Sequence, residues 1–158
     1  MDIIEEFIQA TDRCTEQICS MQPLEIEKQK ALISWNVNQM EQMVNDQQAA
    51  IMQLDNLEKQ RIHAQCQAGF SGLSANEILK RAPQPVHDRL AASFQALREA
   101  AQKLKLYNKK ANEFAKASLQ FLQTVSGKRV QPATRTTYST NGAQNNGWNR
   151  GSSLKIRI

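Results

Sequence analysis

The side chains best suited to proton or metal chemistry are few. The 158-residue chain has two histidines, His63 and His87, and three cysteines, Cys14, Cys19 and Cys66. His63-Ala-Gln-Cys66 places an imidazole and a thiol one helical turn apart, and His87 falls in a segment expected at the same end of the molecule. A cation site is one reading of that grouping, and ordinary helix-end polar residues are the other. Four-ligand zinc sites bring a second paired motif, which does not follow here, so no metal is expected. The nucleophile-elbow, zinc-protease, P-loop and dinucleotide signatures are all absent, and Gly69-Phe70-Ser71-Gly72 is too short to cradle phosphate. Three cysteines without paired spacing argue against a disulfide framework and for buried thiols in a reducing compartment. The chain is expected to work without catalysis and without a cofactor, by binding.

Binding surfaces on helices are read from spacing. Leu90, Phe94, Leu97, Ala101, Leu104, Asn108, Ala111, Ala115, Ser118, Leu122 and Val125 step by three and four, a heptad ladder broken by two polar residues. Such a stripe must face another helix lengthwise. The ladder predicts a last helix from about Pro85 or Val86 to Ser126. Its lower part carries large residues, whereas Ala111, Ala115 and Ser118 let a neighbour approach closely but offer little apolar area. Tyr107, Phe114 and Phe121 form a second row beside it, readable as core packing or as a groove. Asn108 could set register against a partner or hydrogen-bond within the bundle, with Asn112 extending the contact.

Ile4, Phe7, Thr11, Cys14, Ile18 and Met21 repeat the geometry and predict a first helix from Asp2 to Met21. Pro23, followed by Glu25 and Glu27, reads as a break and a fresh N-terminus, with a second long helix from there to about Gln67. Its ladder (Ile33, Val37, Met40, Val44, Ile51, Leu54) is weaker. Leu32, Trp35, Met43 and Leu57 make an adjoining stripe, which implies two neighbours. Gly69 and Gly72 end this helix. Ser74-Ala-Asn-Glu77 has the form of a capping box and predicts a short connecting helix, closed by Pro83 and Pro85. The expected fold is all-α: an elongated antiparallel helical bundle or coiled-coil hairpin of two long helices, with a shorter N-terminal helix and a short connecting one. The first helix, short of the others, would leave part of the last helix uncovered.

Charge divides the chain. Residues 1 to 60 hold eleven acids against four bases, so an overall +5 leaves the remainder strongly basic. After Gly127 the composition turns to Thr, Ser, Asn, Gly and Gln with six bases and no acid, which cannot bury enough apolar surface to offset its ordering entropy. Two parts are expected, a helical bundle over 1 to 126 and a flexible, disordered C-terminal tail over 127 to 158, the latter with Tyr138, Trp148 and the alternating Leu154-Lys-Ile156-Arg-Ile158 as possible anchors. No stretch approaches the roughly 20 apolar residues of a membrane span, and the acidic start is unlike a secretory signal. A cytoplasmic protein is expected.

Three stretches carry a family resemblance: Ile51-Met-Gln-Leu54-Asp-Asn-Leu57-Glu58-Lys-Gln-Arg61, a Leu-rich run ending in Leu-Glu-x-x-Arg; Leu104-Lys-Leu-Tyr107-Asn108-Lys-Lys-Ala-Asn112, with spaced asparagines; and Thr137-Tyr138-Ser-Thr-Asn-Gly142, a Tyr-and-Gly turn soon after the last helix. In this order they resemble the FlgN family, flagellar type III export chaperones for hook-associated proteins. Gln48 departs from the family's lysine before the Leu-rich run. The resemblance implies a bundle that binds the amphipathic terminal helix of a hook-associated protein, prevents premature polymerisation and delivers it to the export apparatus.

Partner-binding residues are expected at Phe114, Phe121, Leu122 and Val125, where internal cover thins, and at Tyr138 and Gly142 in the tail. The partners are hook-associated proteins and the export apparatus, with no nucleic-acid or membrane partner, and the chain itself a monomer or weak homodimer. The alternatives are a structural coiled-coil scaffold, which would self-associate through the ladder, and a basic-tailed nucleic-acid binder, which would show steep salt dependence.

Overall fold

A computed structural model describes residues 2–126. Tyr138, Gly142 and the whole expected tail of 127–158 lie outside the described residues. The described chain forms four helices and no strand: α1 (Ile3–Ser34), α2 (Val37–Gln67), α3 (Ala75–Arg81) and α4 (Gln84–Ser126). The all-α class and the short connecting helix are as expected; the boundary between the first two long helices is not.

Asp2 caps α1 by accepting a hydrogen bond from the Ile4 amide at 3.3 Å, and Glu5 and Glu6 in the first turn complement the helix dipole. The helix then runs through Pro23 to Ser34. Proline lacks an N–H and crowds the carbonyl one turn back, so an interior proline costs about 3 kcal/mol. Here that cost is offset by packing on both sides of it. The stripe of Phe7, Thr11, Cys14, Ile18 and Met21 continues on the same heptad through Glu25, Lys28 and Leu32, and all but Lys28 are buried. The break falls instead at Trp35, whose φ of 54° is left-handed, and at Asn36, whose side chain accepts from the Gln39 amide at 3.1 Å and starts α2.

This corrects the arrangement as well as the boundary. At 32 residues, α1 is about 48 Å long. It is the central helix, packed along α2 on one side and α4 on the other, while α2 and α4 share no backbone proximity among the described residues. Cross-helix pairs give the directions. Gln17 donates to the Ala50 carbonyl at 3.1 Å and Cys14 meets Glu58, so α1 and α2 form the antiparallel hairpin. Arg89 pairs with Glu5 and Asn108 with Glu25, so α4 runs parallel to α1, and the hairpin read between the second and last helices is replaced by that pairing.

Two apolar clusters occupy the core. The lower joins Phe7 and Ile8 to Phe70, Ala75, Ile78, Leu90 and Phe94. Phe7 meets Phe94 nearly edge-on at 5.9 Å and Phe70 at 6.3 Å, which ties α1 to α4 and to the loop before α3. Gln65 fixes that loop, donating to the carbonyls of Phe70 at 2.8 Å and Leu73 at 2.9 Å, and Gly69 and Gly72 supply its positive φ angles. The Ser74 and Glu77 capping box is present as expected. The upper cluster gathers Cys14, Ile18, Met21, Leu54, Leu97, Ala100 and Leu104. Each fully buried large side chain contributes about 1.5–3 kcal/mol.

Above it lies a polar layer. Glu25, 4% exposed, holds Lys28 Nζ at 2.8 Å and accepts from Asn108 Nδ2 at 3.1 Å and from Gln47 Nε2. Asn112 donates to Asn108 Oδ1 at 3.2 Å, so the bonding within the bundle anticipated for the two asparagines is made.

Two stability measurements test this account. Pro23→Ala restores an amide donor at an exposed position, and thermal unfolding followed by circular dichroism is expected to show a gain of about 1–3 kcal/mol. Glu25→Ala leaves the Asn108 and Gln47 amides without their acceptor, and urea unfolding is expected to show a loss of about 2–4 kcal/mol; replacing Glu25, Gln47 and Asn108 together by Leu recovers it.

Candidate functional site

Where α4 outruns its neighbour, its apolar residues lose cover. Partners on α1 and α4 are 84, 81 and 83 residues apart in sequence at Glu5–Arg89, Asp12–Ser93 and Glu25–Asn108. At that offset Ser34, the end of α1, falls level with about Ala117, and the last nine or so residues of α4 overhang by roughly 13 Å. The row beside the ladder shows the change: Ser93 and Ala100 are each 6% exposed, Tyr107 is half-buried, Phe114 is 37% exposed and Phe121 is 64% exposed. The ladder follows the same course, from buried Leu90, Leu97 and Leu104 to exposed Leu122 and Val125.

The four described residues expected to bind a partner, Phe114, Phe121, Leu122 and Val125, are thus exposed and lie at one end of α4. The structure adds Leu119 to them. It also exposes Ile33, Trp35 and Val37 at the turn between α1 and α2, which the register places at the same end. Spacing had assigned these three to the stripes of the second helix. The signal that separates them is Asn36-x-x-Gln39, a cap signature directly after the tryptophan.

From Lys103 upward α4 is mostly basic, while Glu27 of α1 and Glu41 and Asp46 of α2 stand at the same end. Lys103, Lys105, Lys109, Lys110 and Lys116 stand on the upper half of α4 with Glu113 as its one acid, and Lys109 lies 3.9 Å from Glu113. At the opposite end the charges are matched: Arg89 donates to both Glu5 oxygens at 2.6 and 2.8 Å, and these bonds hold the Glu5 carboxyl below its usual range.

The histidines and cysteines do not converge. His63 Nε2 lies 3.4 Å from Gln67, His87 Nδ1 lies 3.0 Å from Asp88, and Cys66 meets Ser71 at 3.5 Å. Among the described residues no group of three or more His, Cys, Asp or Glu is placed to hold a metal ion, and no helix is long and apolar enough to cross a membrane. Cys14 alone of the three thiols is buried; burial, reinforced by Glu58, pushes its pKa up to about 11.

A layer of long helices with an apolar overhang above a lysine-rich stretch of α4, and no assembled catalytic group among the described residues, fits a protein-binding module. The family comparison makes this specific: the FlgN protein family model matches residues 1–146, and the chain belongs to that family. It is therefore a flagellar export chaperone for hook-associated proteins, non-enzymatic and of a family that acts in the cytoplasm. No curated protein and no solved structure was found to match it.

The raised Cys14 pKa and its burial generate a chemical test. Treatment of the folded protein with iodoacetamide at pH 8 is expected to alkylate Cys19 and Cys66 and to spare Cys14, read by peptide mass spectrometry. Alkylation of Cys14 should follow only on unfolding.

Proposed function

We propose that the overhanging end of α4 captures the amphipathic terminal helix of a hook-associated protein, and that the tail around Tyr138 and Gly142 takes part in holding it. The observation that carries this reading is the run of Leu119, Phe121, Leu122 and Val125, all exposed on the part of α4 that α1 does not reach, with exposed Phe114 just below it. An amphipathic helix seats its apolar residues at i, i+3, i+4 and i+7 on such a surface. Seating it there masks the face the cargo needs for polymerisation. Chain-to-chain pairing through the same end would bring like-charged lysines together, which favours a monomeric chaperone over a scaffold. The bundle of 1–126 then serves as the rigid part and 127–158 as an arm that contributes on binding.

Co-expression with the hook-associated proteins encoded in the same genome is expected to yield a soluble one-to-one complex. Phe121→Ser together with Leu122→Ser, and separately deletion of all residues after Val125, should each weaken it about tenfold or more by titration calorimetry, with circular dichroism unchanged. Self-association that survives the deletion, with no cargo complex, would establish the scaffold instead.

A further inference from the structure

The seam between α1 and α4 on the side away from α2 changes character along its length. One heptad row of α1 faces it, Glu5, Asp12, Cys19, Ile26 and Ile33. At the lower end this row is closed by polar contacts, Glu5 with Arg89 and Asp12 with Ser93. Above Asp12 no such contact crosses the row. Cys19, with Thr15 and Gln22, borders a shallow open groove whose far wall includes Glu99, Ala100, Gln102, Lys103 and Leu106 of α4. Higher up, Ile26 is 39% and Ile33 62% exposed, and the α4 row opposite continues to Phe114 and Phe121. On the α1 side Cys19, Ile26 and Ile33 make an apolar row about 21 Å long.

Lysines stand along the seam's rims, and the one carboxylate of the groove wall, Glu99, accepts from Gln95 at 2.7 Å. Lys30 stands four residues after Ile26 and three before Ile33, Lys103 lines the groove, and Lys110 follows it one heptad later. All three are exposed, and none has a carboxylate within ion-pair distance among the described residues, whereas Lys28, Lys59 and Lys109 each have one.

We infer that this seam is a continuation of the docking surface, and that its occupant is an amphipathic helix of about 15 residues carrying carboxylates beside its apolar stripe. The inference rests on the reading that the α4 end receives a helix, and deepens it by fixing the partner's charge and adding an α1 wall. An apolar row flanked by lysines without an ion-pair partner, with Glu99 already engaged by Gln95, fits an acidic helix. A second copy of this chain would lay its own basic α4 against the same lysines.

Two labelled synthetic 15-residue amphipathic helices with the same leucine stripe, one flanked by Glu and one by Lys, test this against the full chain by fluorescence anisotropy. The Glu-flanked peptide is expected to bind at least about tenfold more tightly than the Lys-flanked one. Lys30→Glu/Lys103→Glu/Lys110→Glu should invert the preference, and Ile26→Ser/Ile33→Ser should weaken binding of the Glu-flanked peptide about tenfold, with helical content unchanged. Equal binding of the two peptides, no inversion, or indifference to the Ile26 and Ile33 changes overturns the inference. So does a dimer, seen by sedimentation, that Ile33→Ser dissolves, or displacement of the peptide by single-stranded DNA. Failure of the hook-associated complex while the peptide preference holds would instead sink the cargo reading and leave the seam assignment standing.

Discussion

One carboxylate holds three helices in register. Glu25 occupies a position on the α1 stripe where an apolar residue would ordinarily sit, and it is bonded from α2 by Gln47, from α4 by Asn108 and from its own helix by Lys28. A buried charge is tolerable only when paired and hydrogen-bonded, so these partners must stay where they are for the fold to keep Glu25 inside. That requirement explains why α1 continues as one helix beyond Pro23. Ending it at the proline would remove Glu25 and Leu32 from the stripe that both neighbours cover, which outweighs one lost amide donor.

The polar layer also divides the molecule by packing. The two apolar clusters, from Phe7 and Leu90 up to Met21 and Leu104, lie below it. Above it the α4 ladder narrows to Ala111, Ala115 and Ser118, residues that permit close approach but bury little area. Regions with few buried apolar contacts open most easily. The end of α4 that presents Phe121 and Val125 is therefore also the end with least holding it down. An apolar docking surface is compatible with a stably folded chaperone because the cooperative core lies elsewhere.

Much of this was legible in the chain. The α4 ladder and its thinning, the seven-spaced row of Tyr107, Phe114 and Phe121, the glycines at 69 and 72 and the Ser74 capping box all follow from side-chain size, spacing or local backbone chemistry, and the structure has each of them. What escaped was the extent of α1, because Glu25 and Lys28 interrupt the apolar pattern and Pro23 supplies a plausible local stop. Local rules set the cost of a proline or a charge; only the tertiary partners set the return. Gln47 and Asn108, more than twenty and eighty residues away, are invisible to any window of spacing. The same error hid Ile33, Trp35 and Val37 in a supposed helix interior, when the left-handed Trp35 and the Asn36 cap in fact turn the chain there.

Asn108 shows how the structural and functional readings meet. A heptad ladder by itself permits a slip of seven residues, about 10 Å, with apolar residues still facing apolar residues. Slipping α4 that far along α1 would bring Ala101 or Ala115 to the level of Glu25 and leave its carboxylate without the Asn108 amide. The Glu25–Asn108 contact therefore sets how far α4 extends past Ser34. A slip one way would draw Phe121, Leu122 and Val125 back against α1; a slip the other way would leave α4 uncovered from about Lys110 onward. The register chosen leaves about nine residues of α4 beyond its neighbour, so the size of the exposed surface follows from a polar contact in the core, not from the apolar residues that compose it.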